Sequence, residues 1–530
     1  MRTQILVYRS ALVAALGGFL FGFDTAVISG TVDDLKKVFL LNDWWLGFTA
    51  ASALFGTIVG AWTVQWPSNR LGRKPTLILM AVLYFTGAVG SACPWNFGTM
   101  TNWDWFGFLL SRFIGGIAVG GASVVSPLYT AEISPAKSRG VLVAITQFNI
   151  VFGILIAFFS NYLITGLHLG DFGWRWMFGV QAFPAAAFFA LLFIVPESPR
   201  WLIGKGWSDK ARPILDALGT DSGNVDDEVA IIEKSLEDER HGVKEALFCY
   251  RYRFPIFLAV CMAAFNQLSG INAILYYAPK VFSIAGASKG LSMFLPVIIG
   301  LTSLVFTVAA MYVIDWFGRR KLMLAGSLGY ISSLCIVAAA FHVYAPEFSV
   351  SMNTIAKKET AATIENLETA LKTATPETAP LLTDELEKAR QSLEGYLMKL
   401  QESEAAFVNI RGRATDGTVP MAGILIVLGG LMLFIASHAF GQGACIWVFL
   451  SEIFPNRIRA QGQAFASLIL WVLCALVTQL FPPLLALFGP TSIFLGFAGL
   501  MVLQLLWVIA FMPETKQISL EEMQKKWGIV

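Results

Sequence analysis

Residues 17–30 read Gly-Gly-Phe-Leu-Phe-Gly-Phe-Asp-Thr-Ala-Val-Ile-Ser-Gly. The run is apolar enough to lie in a bilayer, yet it holds one carboxylate, Asp24. A charge at the centre of a membrane helix costs roughly 2.5–3.5 kcal/mol on insertion scales, so it requires a partner or a water path. Two readings follow: Asp24 is a proton site, or it is a structural group tied to a neighbouring helix. The only basic residue well inside a span of the first half is Arg112, in Ser111-Arg112-Phe113-Ile114-Gly115-Gly116. Glycines at 115, 116, 120 and 121 give that helix a face without side chains, which permits close helix approach. A guanidinium beside a carboxylate favours the ionised form, and separating the two favours the proton. This is the physics that proton coupling needs.

Outward from this run, the whole chain is of the same kind. Of its 530 residues 56% are hydrophobic and only 14% charged, against about a quarter charged in soluble domains. Apolar windows of about 20 residues recur, each long enough for a hydrocarbon core of about 30 Å. The reading is an all-α membrane protein of about twelve spans: 9–30, 46–66, 75–93, 105–131, 141–165, 174–195, 254–283, 291–314, 321–344, 419–448, 460–486 and 491–512. The first window is too long and Gly-rich for a cleaved signal peptide, so the protein is expected in the inner or plasma membrane. The spans exclude a soluble enzyme, and the lack of a GxxxxGK[ST] loop excludes an ATP-driven pump. The net charge of +2 says nothing about partners, no nucleic acid is expected, and the six cysteines have neither disulfide nor zinc spacing. The four histidines form no cluster, so no metal is expected.

The halves repeat each other. Asn69-Arg70-Leu71-Gly72-Arg73-Lys74 follows the second span and Asp315-Trp316-Phe317-Gly318-Arg319-Arg320 the eighth. Glu132 and Arg139 follow the fourth span seven residues apart, as Glu452 and Arg459 follow the tenth. Gly72 to Glu132 is 60 residues and Gly318 to Glu452 is 134; the excess, 134 − 60 = 74, matches a polar segment at 345–418. This gives an N-terminal six-helix bundle at 1–196, a charged helical linker domain at 197–253, and a C-terminal bundle at 254–513 that carries the insertion. A tail at 514–530 ends the chain. Lys/Arg distribution puts both termini and the linker domain in the cytoplasm. The insertion, with 8 Lys/Arg and 12 Asp/Glu, then lies outside. It reads as a helical hairpin with Leu386, Leu393 and Leu400 repeating by sevens, either a solvated appendage or a docking site for an extracytoplasmic partner. Two six-helix halves related by an axis along the membrane normal are the major facilitator architecture, with the substrate site between them.

Arg73 and Arg319 stand where they can pair with Glu132 and Glu452 across helix ends, holding the cytoplasmic side shut when the carrier faces outward; plain positive-inside anchoring is the alternative. Sugar-like ligands need neutral hydrogen-bonding groups and aromatic faces in an apolar cavity. Gln147, then Asn266, Gln267 and Asn272 on the seventh span, and Trp447 and Trp471 supply them. An unbroken helix would separate Gln267 and Asn272 by about 140°; Gly270 between them is the place for a break.

Phe21-Gly22-Phe23-Asp24-Thr25, the two loops ending Gly72-Arg73-Lys74 and Gly318-Arg319-Arg320, Arg112-Phe113-Ile114-Gly115-Gly116, Pro196-Glu197-Ser198-Pro199-Arg200, Gln267-Leu268-Ser269-Gly270-Ile271-Asn272 with Tyr276-Tyr277, and Pro513-Glu514-Thr515-Lys516 resemble, in order, the motifs of the sugar porter family of the major facilitator superfamily. The resemblance runs from about residue 10 to 515 apart from the insertion. It implies a monosaccharide carrier for a hexose or pentose, working by alternating access with a proton as coupling ion and no cofactor. Asp24 with Arg112 matches the pair of bacterial proton–sugar symporters. The resemblance places Phe21, Gln147, Asn266, Gln267, Asn272, Tyr276, His438, Trp447 and Trp471 at the sugar. Arg70, Arg73, Glu132, Arg139, Glu197, Arg200, Arg319, Arg320, Glu452 and Arg459 become the cytoplasmic gate. A facilitative uniporter with the same site and a non-transporting sugar sensor are the alternatives. The chain departs from the family at Gly441-Gln442-Gly443, where a proline is usual, at Leu470, where relatives place Asn or Gln, and at His438, where an aromatic is usual.

Overall fold

The computed structural model describes residues 2–93, 102–219, 224–241, 246–372, 379–411, 420–455 and 458–516. The part of the tail beyond 516 and the Arg139 side chain lie outside the described residues. Among the described residues there is no β-strand. Among the described residues, ten helical segments are long and apolar enough for one crossing each: Ile5–Gly30, Asp43–Thr63, Arg73–Ala92, Asp104–Ile133, Gly140–Gly166, Gly173–Leu192, Tyr250–Ile284, Lys289–Val313, Arg319–Val343 and Met421–Leu450. The eleventh, Gln461–Ala510, has 50 residues. At 1.5 Å per residue it would reach about 75 Å, more than twice a hydrocarbon core of about 30 Å. It turns at Gly489 (φ 73°), directly before Pro490, and so supplies the eleventh and twelfth passes.

The passes form two six-helix halves with the same internal packing: the first span lies on the fifth and the second on the fourth, as the seventh lies on the eleventh and the eighth on the tenth. Between halves the second span meets the eleventh and the fifth meets the eighth, the pairs that exchange under the twofold. Lipid provides no hydrophobic drive between helices, so close backbone contact must hold them. The second and fourth spans achieve it through glycine. A Cβ on Gly116 would lie 1.9 Å from the Ala53 carbonyl oxygen, and one on Gly120 would lie 2.1 Å from that of Thr57. Outward faces stay apolar: Leu79, Val82, Phe85 and Val89 are exposed at three- and four-residue intervals along the third span, a stripe suited to lipid.

The linker region folds as Pro199–Gly204, Ser208–Leu218 and Val225–His241. Its own small core contains Trp201, Leu202, Leu215 and Val229. It docks on the first half through Trp201 Nε1, which donates to the Asn69 carbonyl (3.0 Å). In the insertion, Ala345–Lys372 and Ala379–Arg411 lie antiparallel, since Asn353 donates to Ser403 (2.9 Å) and Arg390 pairs with Glu368 (2.7 Å). Of the heptad leucines, Leu386 and Leu400 are buried and Leu393 is half-buried.

Candidate functional site

Asp24 and Arg112 meet inside the first half. The guanidinium approaches the carboxylate with both Nη atoms, Nη1 to Oδ1 at 2.5 Å and Nη2 to Oδ2 at 3.2 Å. Both side chains are buried. The two-pronged geometry suits a pair removed from water, because both carboxylate oxygens and both Nη atoms are engaged. Two neighbours complete the cluster, and both come from the sixth span region. Gln181 Nε2 donates to Asp24 Oδ1 (3.2 Å), and the Arg112 guanidinium lies over the Phe178 ring, 5.1 Å from its centroid. Sequence reasoning missed Gln181; its one signal was an amide in an otherwise apolar run.

One turn before Asp24, Phe21 meets Trp471 of the other half edge-to-face, with centroids 5.5 Å apart. The seventh span is broken where expected. Helix Arg253–Leu268 ends, Gly270 takes φ +86°, and a second helix begins at Ile271. A side chain at that φ is strained. The break re-aims the amides: Asn272 Nδ2 donates to Gln267 Oε1 (2.6 Å) and Gln267 Nε2 to Asn266 Oδ1 (2.9 Å). Three amides that a straight helix would scatter form one chain. Tyr276 is buried beside Thr25, which follows Asp24, so the seventh span touches the helix of the ion pair. Gln147 is half-buried on the fifth span. Trp447 is 46% exposed and makes no ring contact with a described residue. Leu470 is buried beside Trp471.

His438 faces the ninth span. Its Nδ1 lies 2.5 Å from the Tyr330 hydroxyl, and Tyr330 also reaches Gln442 Oε1 (3.1 Å). Gln442 sits in a π-helical turn, Ala439–Gly443, within the tenth span. The missing proline is thus replaced by a local widening of the helix rather than by a break.

At the end of the bundle that carries the two basic loops, the halves are built alike. Arg73 holds Glu132 with two hydrogen bonds of 2.8 Å, and Arg319 Nη2 donates to Glu452 (3.0 Å). Each pair lies within one half, so neither bridges the halves in this conformation. Glu197 accepts from the backbone N–H of Arg73 (3.0 Å) and Lys74 (3.2 Å), capping the third span; Glu514 accepts from those of Arg319 (3.0 Å) and Arg320 (3.2 Å), capping the ninth. Arg320 also donates to the Ile509 carbonyl (2.8 Å). Three further residues expected at the gate have these partners. Arg70 lies over Trp66 of its own helix, Arg200 donates to Ser235, and Arg459 donates to the Phe454 carbonyl (3.4 Å). Glu514 was legible only as part of its motif. Ion pairs that cross between halves occur at the opposite end, among them Lys280–Asp33 (2.8 Å) and Lys289–Asp34 (3.8 Å).

Twelve passes in two matched halves, with polar side chains gathered near the seam, are the build of a secondary carrier. The family model described as sugar (and other) transporter matches residues 10–357 and 406–527, leaving out most of the insertion hairpin. The chain belongs to this family, which makes it a multi-pass transporter and not an enzyme. It is 33% identical to the D-xylose-proton symporter of Escherichia coli K12, over 98% of this chain and 96% of that protein. The inward-open structure of the E. coli xylose transporter superposes with a TM-score of 0.72 at 33% identity, covering 98% of this chain and all of the other. The same symporter bound to 6-bromo-6-deoxy-D-glucose gives 0.68 at 34% identity, covering 99% of this chain and all of the other.

Proposed function

We propose that the protein imports a monosaccharide, a pentose or hexose, together with a proton by alternating access. The observation that carries this reading is the buried Asp24–Arg112 pair one helical turn from Phe21, which itself rests on Trp471 of the other half. A proton site and an aromatic wall on one turn give protonation and sugar binding a common mechanical element. Neutralising Asp24 loosens Arg112 and the turn that carries Phe21. The amide chain Asn266–Gln267–Asn272, with Gln147, Tyr276 and Trp447, supplies hydrogen bonds and aromatic faces to sugar hydroxyls and ring. The named substrate of the E. coli relative makes D-xylose the first sugar to test.

In this reading the basic-loop end faces the cytoplasm, with both termini there and the chain in the cell membrane. Lys280–Asp33 and Lys289–Asp34 then close the outer end, so the conformation faces inward. Arg73, Glu132, Arg319 and Glu452 hold partners within their halves in this state and exchange them between halves when the inner end closes. The insertion is a solvated appendage on the outer side.

The test is D-xylose uptake into proteoliposomes with proton flux recorded. Sugar should drive proton entry, and Asp24→Asn should abolish uphill accumulation while sparing exchange. Uptake indifferent to both a pH gradient and an uncoupler would replace this reading by facilitative uniport.

A further inference from the structure

The second part of the seventh span, Ile271–Ile284, ends in a tight turn before the eighth span starts at Lys289. That turn stands between two lysines that reach the other half, Lys280 on Asp33 and Lys289 on Asp34. A displacement of the turn carries both lysines with it.

The base of the insertion hairpin grips this turn. Only Tyr344 separates the ninth span from helix Ala345–Lys372. The first turns of that helix are not solvated: Phe348, Val350, Ser351 and Asn353 are buried. Ser351 Oγ donates to the Gly286 carbonyl at 2.9 Å. The two segments touch here, since a Cβ on Gly286 would lie 2.7 Å from that of Ser351. Gly286 also takes φ +82°, so glycine serves both the turn and the close approach. Phe348 anchors the other side of the helix. Its ring stacks on Tyr344 (5.9 Å between centroids) and meets Phe341 edge-to-face (5.6 Å). It also covers Gly423 at the start of the tenth span, where a Cβ would lie 2.7 Å from it. Arg411, at the end of the returning helix, closes the base on Glu347 (2.7 Å) and on the Val343 carbonyl (2.7 Å). One hydrogen bond and one aromatic wedge thus join the turn at Gly286 to the ninth and tenth spans.

The break at Gly270 is the other end of the lever. Ile271–Ile284 has 14 residues, about 21 Å at 1.5 Å per residue. A swing of about 10° at Gly270 would carry the turn about 4 Å, and a side-chain hydrogen bond does not survive such a displacement. The Ser351 contact and the swing therefore exclude each other. A contact made in one state and broken in the other shifts the balance between them by its own free energy.

We propose that the base of the insertion is a brace on the end of the carrier opposite the basic loops. Ser351 and Phe348 hold the turn at Gly286, and through it Ile271–Ile284, in the position where Lys280 and Lys289 reach the first half. The brace releases when that end opens. The distal hairpin takes no part and remains an appendage. This rests on the alternating-access reading and adds to it an element that sets the balance between its two states.

Two measurements on the purified full-length protein test it. Spin labels at Lys37 and Ser288, read by pulsed dipolar spectroscopy, report opening of this end. Hydrogen exchange reports the swinging helix itself. A typical net hydrogen bond corresponds to roughly two- to twelvefold in an equilibrium constant. Ser351→Ala should raise the ratio of long to short distances by about that factor and speed exchange across 271–287 while leaving the first half unchanged. Gly286→Ala, whose Cβ would push Ser351 away, should act in the same direction. Deleting 358–405, which keeps Phe348, Ser351 and Arg411, should leave wild-type distances. Wild-type distances and exchange in Ser351→Ala and Gly286→Ala overturn the brace and leave alternating access standing. So does a 358–405 deletion that opens as Ser351→Ala does. One unchanging distance in wild type and in every variant, whatever the D-xylose concentration and pH, overturns both.

Discussion

Glu197 does for the third span what Glu514 does for the ninth. Each carboxylate lies across a helix start and accepts two backbone N–H bonds of 3.0 and 3.2 Å, from Arg73 and Lys74 in one half and from Arg319 and Arg320 in the other. A helix N-terminus leaves its first N–H groups unpaired and carries partial positive charge. The carboxylate answers both and ties a remote segment, the linker in one half and the chain end in the other, to the basic loop.

The Glu197 cap has a pH signature. Burial raises its carboxyl above the ordinary 4.5, opposed by the N–H groups of Ser198, Lys74 and Arg73 and by the Arg73 charge. A folded-state value above the unfolded one means that the proton is bound more tightly in the native protein. The associated stability is present below about 4.5 and is lost as pH rises through the raised value. Thermal unfolding of wild type and Glu197→Gln across this range should show wild type losing ground to the variant as pH rises; parallel curves would refute the burial effect.

Gln181 and Asp24 should couple. A hydrogen bond to a charged group contributes about 1.5–3 kcal/mol. At 3.2 Å the lower end applies, so Gln181→Leu should destabilise by about 1.5 kcal/mol. The cost should shrink when Asp24→Asn is already present, because the two share one interaction. A double-mutant cycle in unfolding free energy measures it, and strict additivity would separate Gln181 from the pair.

Gln267→Ala should weaken monosaccharide binding by about 0.5–1.5 kcal/mol, roughly two- to twelvefold in Kd. The variant also strands the Asn272 amide that donates to Gln267. Isothermal titration with D-xylose reads the change; an unaltered Kd removes Gln267 from the site.

The hairpin should be dispensable in part. Removing 358–405 should leave transport intact. Removing 350–412 should impair folding, because Ser351 donates to the Gly286 carbonyl (2.9 Å) and Arg411 to that of Val343 (2.7 Å), tying the hairpin base to the bundle. Uptake and surface expression of the two deletions compare them; loss of uptake in a well-expressed 358–405 deletion would give the hairpin a transport role.

Lys280→Glu places like charges at the end where the halves touch. Both partners of the Lys280–Asp33 pair are more than a third exposed, so its loss costs only about 0.2–1 kcal/mol. The reversal adds repulsion. Spin labels at Lys37 and Ser288 should report a longer separation in the variant, more so at low salt; an unchanged distance would show that packing alone closes this end.

Much of this molecule was legible in the sequence. Span lengths, the repeated Gly72-Arg73 and Gly318-Arg319 loops and the glycines of the fourth span follow from local composition and spacing, and each appears in the fold with its expected role in packing. Gly270 marked the break that gathers three amides, because only glycine takes its φ of +86° without strain. Asp24 required a partner by desolvation alone, and Arg112 was the one cation within reach. What composition could not supply was pairing across the chain. Gln181 lies 157 residues from Asp24, and Gln504 lies 62 from Gln442. An amide in an apolar run has the same local signature whether it serves an ion pair, a sugar or another helix. The loops gave a common end and, for Arg73 and Arg319, the carboxylates Glu132 and Glu452 as partners, but not whether the pairs bridge the halves; the packed helix ends keep Arg73–Glu132 and Arg319–Glu452 within their halves. Burial is a tertiary property: the sequence dictated which groups needed partners, and the approach of distant helices decided which partners they received.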